Sequence, residues 1–167
     1  MASPVFYQPA LQVSKAKSVD WRAAAPAPLV LVTGKVDYTA DRAIRTIRET
    51  LRAKDANLEV HELSAADYSA GQLLALSSPS LFAEPRLLII RDFERCSDDF
   101  IEDGLSYAQN PTDDTTVVFR HNSSSVRGKK LLDALKSNEL ASEINCVELK
   151  TQDLPVFVQA EFAALNR

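Results

Sequence analysis

A glycine that follows an apolar run is the first feature of this sequence that could bind a phosphate group. Residues 29–32 are all apolar and lead into Gly34, as a buried strand leads into a phosphate-binding loop. A loop of that type starting at Gly34 requires glycine, lysine and a hydroxyl residue at the next motif positions, where the chain has Thr39, Ala40 and Asp41. The lysine that contacts the phosphates is absent, and an acid replaces the metal-binding hydroxyl. The sequence therefore predicts that the domain binds no nucleotide and has no cofactor.

No other set of reactive side chains has the spacing that catalysis or metal binding requires. Arg91 directly follows the apolar run 87–90, where a metal-binding acid would stand, and Asp92 comes one position late and so points to the opposite face of a strand. His61 lacks the second histidine of a helical zinc-protease motif. The two cysteines are too few for a structural zinc site. We expect no catalytic residue and no metal in this domain.

Three arginines could instead contact the phosphates of DNA. Arg45, Arg48 and Arg52 lie on one face of a helix predicted over residues 39–54. Asp41 stands four residues before Arg45 and can pair with it, which lowers the local positive charge. The whole chain has 19 basic and 23 acidic residues and a net charge of −4. These features favour a solvated helix face with weak DNA contacts over a dedicated nucleic-acid interface.

The connection before the third apolar run contains two large apolar residues in an unusual setting. Leu81 and Phe82 follow Ser80 and are bracketed by Pro79 and Pro85, which restrict the backbone on both sides. Connections of this kind normally run over the surface. Two interpretations stay open at this point: both side chains fold back onto the core, or both are presented to a partner.

The elements that must position these residues follow from the alternation of two patterns. Short apolar runs typical of strands alternate with segments that have helical spacing. Such alternation predicts a three-layer α/β domain with a mostly parallel, five-stranded sheet. The predicted strands are residues 29–32, 58–63, 87–90, 115–119 and 144–149, with helices between them and a further helix from about residue 153.

The pattern also divides the chain into three segments. Before residue 28 there is no periodicity, so only Phe6, Tyr7 or Trp21 is expected to find a pocket there. The last helix has no stop signal, which suggests a truncated element. The predicted segments are a tail or linker over 1–27, an α/β domain over 28–150, and the start of a helical second domain over 151–167.

Length and composition agree with one globular domain. The chain has 167 residues, of which 46% are hydrophobic and 25% are charged. No apolar run is long enough to span a membrane, and no signal peptide is visible. These features predict a cytoplasmic protein without a membrane partner.

Several of these segments together resemble a known family, the delta subunits of bacterial DNA polymerase III, which open the sliding clamp within the clamp loader. The resemblance is carried by residues 80–82 placed before the strand 87–90, and by the run 29–34 followed by an amphipathic helix. The strand 117–119 and the late helix that contains residues 154–158 are also similar. The similar region extends over about residues 28–167.

The resemblance implies a fold and a function. The fold would be the RecA-like core of an AAA+ module, with strand order 5-1-4-3-2 and a vestigial nucleotide site. Leu81 and Phe82 would be the wedge that binds the sliding clamp, or beta subunit, with Ser80 beside them. The domain itself would be no enzyme, although the complex to which it belongs is a DNA-directed DNA polymerase. Other clamp-loader subunits would bind through C-terminal domains that this sequence lacks.

Two alternatives from other classes remain. The first is a divergent AAA+ or helicase-like ATPase domain that binds nucleotide through an atypical loop, against which Thr39 and Ala40 argue. The second is an α/β scaffold whose function lies in a missing C-terminal part. A nucleotide titration separates the first alternative from a clamp-binding module.

Overall fold

A computed structural model of the chain describes residues 15–148 and 150–166 and contains one parallel β-sheet. Its strands lie in the order β1-β6-β2-β5-β4-β3, and every neighbouring pair is parallel. The strands are β1 (Lys17–Asp20), β2 (Leu29–Thr33), β3 (Glu59–Ser64), β4 (Arg86–Arg91), β5 (Thr115–His121) and β6 (Ala141–Asn145).

Helices cover both faces of this sheet, so the domain has the three layers expected of a Rossmann-like α/β fold. Trp21 and α1 pack on one face, whereas α2, α3 and α4 pack on the other. The helices are α1 (Asp37–Lys54), α2 (Gln72–Ser77), α3 (Asp98–Gln109), α4 (Lys129–Lys136) and α5 (Leu154–Leu165).

Burial on both faces explains why the central strands are apolar without interruption. In β2, Leu29 and Leu31 face the layer of α3 and α4, while Val30 and Val32 face α1. All four side chains are fully buried. Each buried side chain of this size contributes about 1.5–3 kcal/mol relative to an exposed one, so these runs define the centre of the domain.

The prediction of five strands was wrong in number, because the segment before residue 28 supplies a sixth. Strand β1 pairs with β6 at the sheet edge, and Val19 is its one residue that is not exposed. An edge strand of this kind buries almost nothing, so it leaves no hydrophobic pattern in the sequence. The fifth predicted strand, 144–149, is also displaced, since β6 spans Ala141–Asn145.

Residues on the N-terminal side of the predicted boundary between residues 27 and 28 thus join the sheet and its core. Trp21 is buried and meets the ring of Phe157 edge to face, with ring centroids 5.8 Å apart. This contact ties the N-terminal segment to α5. Phe6 and Tyr7, the other two candidates for ordered aromatic residues, lie outside the described residues.

Candidate functional site

Residues 78–85 form a projecting loop that leads from α2 into β4, and we call it the tip loop. Because all strands are parallel and β4 starts at Arg86, the tip loop lies at the amino edge of the sheet. Leu81 is 99% exposed and Phe82 is 82% exposed, so neither side chain folds back onto the core. Burying each would contribute about 1.5–3 kcal/mol, which the isolated domain forgoes. Adjacent exposed apolar side chains are a feature that many interaction surfaces share.

Local hydrogen bonds give the tip loop a defined turn. The backbone N–H of Ala83 donates to the carbonyl oxygen of Ser80 at 3.2 Å, and the N–H of Phe82 donates to the Ser80 hydroxyl at 3.2 Å. Ala83 has a φ of 51°, in the left-handed region. Ser80, predicted only as a neighbour of the wedge, thus shapes the turn that carries Leu81 and Phe82.

The helix that precedes the tip loop is held in place by one tyrosine and one aspartate. The hydroxyl of Tyr68 donates to Asp103 Oδ2 of α3 at 2.7 Å and accepts from the backbone N–H of Leu73 at 2.9 Å. The same carboxylate oxygen accepts from the N–H of Gly71 at 2.7 Å. The pKa of Tyr68 lies well above its usual range, mainly because the side chain is buried and secondly because it is bonded to Asp103. The hydroxyl therefore keeps its proton and can donate. These bonds fix the start of α2 against α3.

Arg86 contacts both the tip loop and the neighbouring strand, although no sequence pattern singles it out. Its guanidinium donates to the carbonyl oxygens of Leu76 and Ser78 and, through Nε at 3.1 Å, to Glu59 Oε2. Leu76 and Ser78 lie ten and eight residues before Arg86, and Glu59 lies on β3. No local periodicity reports contacts of this range, so only the tertiary structure identifies Arg86.

The opposite, carboxyl edge of the sheet holds the remnants of the phosphate-loop pattern. Gly34 has a φ of 119°, and a Cβ atom there would lie 2.1 Å from the carbonyl oxygen of Cys146. Its N–H donates to the carbonyl oxygen of His121 at 3.3 Å, and the Thr33 carbonyl accepts from the N–H of Cys146 at 2.7 Å. The backbone at Gly34 is therefore closed, which means that backbone atoms of His121 and Cys146 already lie directly against it.

Paired charges line a polar cavity of about 470 Å³ at this carboxyl edge. Arg120, which is buried, donates to Asp37 at 2.9 Å in the first turn of α1. Arg91 donates to Asp41 at 3.0 Å. An acid in the first turn of a helix occupies the position where the helix dipole would attract a phosphate. The cavity thus offers arginines, but an acid already accepts from each of these two.

Asp92 also belongs to this set of paired charges. It accepts from Arg95 at 2.8 Å and from the Ser64 hydroxyl at 2.7 Å. The pKa of Asp92 is lowered, mainly by the bond from Arg95 and secondly by the bond from Ser64. This carboxylate is held ionised by the protein and makes a structural link between β3 and the turn after β4.

One histidine, His121, and both cysteines are buried. Burial lowers the pKa of His121 and raises the pKa of both Cys96 and Cys146, so the histidine is neutral and the thiols are protonated near neutral pH. Among the described residues, no group of three or more His, Cys, Asp or Glu side chains could hold a metal ion. Within the same ranges, no helix is both long and apolar enough to cross a bilayer.

The three arginines proposed for DNA contact have different environments. Arg45 and Arg52 are exposed and form no ion pair with the part of the chain that the structure describes. Arg48 instead donates to Glu62 of β3 at 3.1 Å. The expected pairing of Asp41 with Arg45 is replaced by its pairing with Arg91. The ion pair with Glu62 thus engages Arg48, so only Arg45 and Arg52 of the three predicted arginines remain unpaired among the described residues.

Comparison with models of protein families finds no family that matches the chain, and comparison with curated protein sequences finds no similar protein. The resemblance to the delta subunits therefore rests on short segments of the sequence, namely residues 29–34, 80–82, 87–90, 117–119 and 154–158.

Proposed function

We propose that this chain is a non-catalytic subunit of the replicative clamp loader, which binds the sliding clamp and helps to open the ring for loading onto DNA. The observation that carries the proposal is the exposure of Leu81 and Phe82, side by side, at the end of an ordered turn. Two adjacent apolar side chains on a projecting turn suit insertion into a hydrophobic pocket of a partner protein. Ser80 contributes by shaping the turn.

We propose further that the sheet is the RecA-like core of an AAA+ module. The supporting observation is the strand order that remains when the added edge strand β1 is set aside, β6-β2-β5-β4-β3. Numbered from residue 29 onward, these strands read 5-1-4-3-2. A domain of this class without a phosphate-binding lysine can act as a binding subunit, with other loader subunits as further partners.

The decisive experiment truncates the wedge and measures binding to the purified sliding clamp of the source organism. Leu81→Ala and Phe82→Ala should each weaken binding by about thirtyfold or more, which corresponds to about 2 kcal/mol at an interface hot spot. The free energy of unfolding should change by no more than about 0.5 kcal/mol, because exposed side chains contribute little to folding. Calorimetric titration and urea unfolding measure the two quantities.

Val126→Ala is the matched control, since Val126 is an apolar loop residue that is 84% exposed but lies away from the tip loop. It should bind the clamp like the wild type. A wild-type chain that does not bind the clamp overturns the proposal. Equal losses for Val126→Ala and Phe82→Ala would show that the tip loop has no special role.

The polar cavity at the carboxyl edge favours a second candidate, a divergent nucleotide-binding AAA+ or helicase-like domain. Arg91, Arg95 and Arg120 line it, and arginines bind phosphate well. Against this candidate stand the acids that already accept from these arginines and the closed backbone at Gly34. Titration with ATP, with and without Mg²⁺, should detect no binding tighter than millimolar. Saturable micromolar binding would favour the nucleotide-binding candidate.

A further inference from the structure

Arg86 is the side chain that connects the tip loop to the sheet. Its guanidinium lies at the base of the loop, where Nη1 donates to the carbonyl oxygens of Leu76 and Ser78 and Nε donates to Glu59 Oε2. The Arg86 side chain is only 17% exposed. One planar group thereby links the end of α2, the start of the tip loop and strand β3.

These bonds matter because the tip loop has few other attachments: the Ser78 hydroxyl donates to the Leu74 carbonyl at 2.8 Å, and the Pro85 carbonyl accepts from the Glu59 N–H at 3.0 Å. Its turn is closed by bonds among Ser80, Phe82 and Ala83, which set the shape of the turn but not its position on the domain. The carbonyl groups at the end of a helix have no partners within that helix. Arg86 supplies a donor to one of them in α2 and to one beyond it, so both are held to the first residue of β4.

We infer that Arg86 is a positioning residue for the wedge: it holds the tip loop so that Leu81 and Phe82 are presented together before the partner arrives. This inference rests on the proposed function for its binding consequence. The physical reason is that a preordered loop loses less conformational entropy on binding than a mobile one. Loss of Arg86 should therefore weaken clamp binding without removing any contact between the wedge and the clamp.

Arg91 provides a matched control at the other end of the same strand. It also forms ion pairs with two neighbouring elements, at 3.0 Å with Asp41 and at 3.7 Å with Glu62. Its contacts lie at the carboxyl edge, away from the tip loop. Arg91→Gln removes two ion pairs, whereas Arg86→Gln removes one ion pair and two bonds to carbonyl oxygens. Arg91→Gln should leave the order of the tip loop unchanged.

The experiment compares Arg86→Gln with Arg91→Gln by three measurements: melting, amide hydrogen exchange and binding to the purified sliding clamp. Arg86→Gln should speed exchange of the Phe82 and Ala83 amides and weaken clamp binding by about tenfold. Arg91→Gln should change neither. If Arg86→Gln does not fold, Arg86→Lys replaces it, because a single ammonium group cannot span the carboxylate and both carbonyls.

A double-mutant cycle distinguishes positioning from general stability. In the background of Leu81→Ala with Phe82→Ala, Arg86→Gln should cause almost no further loss of binding, since no wedge is left to position. An independent, additive loss overturns the inference, as does unchanged exchange in the tip loop. If the wild type does not bind the clamp but Arg86→Gln speeds exchange, the clamp is excluded as the partner while Arg86 is supported as the residue that orders the loop.

Discussion

The two edges of the sheet differ: charged side chains are paired at one edge, and apolar side chains are exposed at the other. At the carboxyl edge, where α/β domains usually bind small ligands, Arg120 is paired with Asp37 and Arg91 with Asp41. At the amino edge, Leu81 and Phe82 stand almost fully exposed. These arginines at the carboxyl edge already have acidic partners, whereas the amino edge presents apolar surface that water solvates poorly.

This contrast bears directly on the kind of ligand the domain can bind. A site for a small phosphate compound needs donors that are free and a backbone that can approach the ligand, whereas Gly34 lies against Cys146. A docking site for a macromolecule needs exposed apolar side chains on an ordered support. The domain has the second arrangement at its amino edge, which supports the proposed function.

A large effect on stability is expected at Gly34, where the backbone meets Cys146 at the carboxyl edge. Gly34→Ala should lower the free energy of unfolding by about 4 kcal/mol, because strain at positive φ adds to a clash with the carbonyl of Cys146. Gly71→Ala is the control: φ is 82° there, but a Cβ atom meets nothing within 4 Å. It should cost only about 1–2 kcal/mol. Similar losses in urea unfolding would show that the carboxyl edge is not closed at Gly34.

Two phenylalanines test whether the amino edge differs from the core. Phe100 is fully buried and meets Tyr68 edge to face at 5.3 Å, whereas Phe82 is exposed. Phe100→Ala should cost about 3–5 kcal/mol of unfolding free energy. Phe82→Ala should cost no more than about 0.5 kcal/mol. A large destabilisation by Phe82→Ala in urea unfolding would mean that the tip loop packs on the domain.

A smaller effect is expected from the pH dependence of the carboxyl edge. Because the pKa of Asp92 is lowered in the folded state, its stabilising contribution is present above the unfolded pKa of about 3.9 and is lost as pH falls through the folded value. Asp92→Asn should therefore be less stable than the wild type at pH 7, and the difference should shrink below about pH 4. Urea unfolding at several pH values measures this difference.

Asp114→Asn controls for the backbone in that measurement, since Asp92 and Asp114 both have positive φ, at 58° and 59°. It tests whether asparagine itself changes stability at such a position. A stability difference between the wild type and Asp92→Asn that stays constant from pH 7 to pH 2.5 would show that the charge of Asp92 is not involved.

The smallest effect should come from the exposed arginines of α1. The chain is acidic overall, so duplex DNA should bind no tighter than the range of about 10⁻⁴–10⁻⁶ M typical of non-specific contacts. Arg45→Glu with Arg52→Glu should weaken even this binding, whereas Arg48→Gln, which alters a residue paired with Glu62, should change it less. Fluorescence anisotropy at two salt concentrations tests this. Nanomolar binding with a steep salt dependence would contradict this expectation and indicate a dedicated nucleic-acid interface on α1.

Much of the interior could be predicted from local patterns. The runs 29–32 and 87–90 are apolar at every position because both faces of their strands are covered, and this is visible without a structure. The missing lysine at Ala40 is equally visible, since the motif has fixed spacing. Strand β1 could not be found in this way, because an exposed edge strand needs no apolar residues.

The tip loop shows why the rest required the tertiary structure. Its two prolines and two apolar residues are evident in the sequence, but whether Leu81 and Phe82 pack inward or project depends on the space beneath them. Arg86 occupies the base of that loop through contacts with residues eight to 27 positions earlier. Similarly, Asp41 pairs with Arg91, 50 residues away, and not with its neighbour on the helix. Local periodicity reports which face of an element is apolar, whereas these contacts depend on which elements the fold brings side by side.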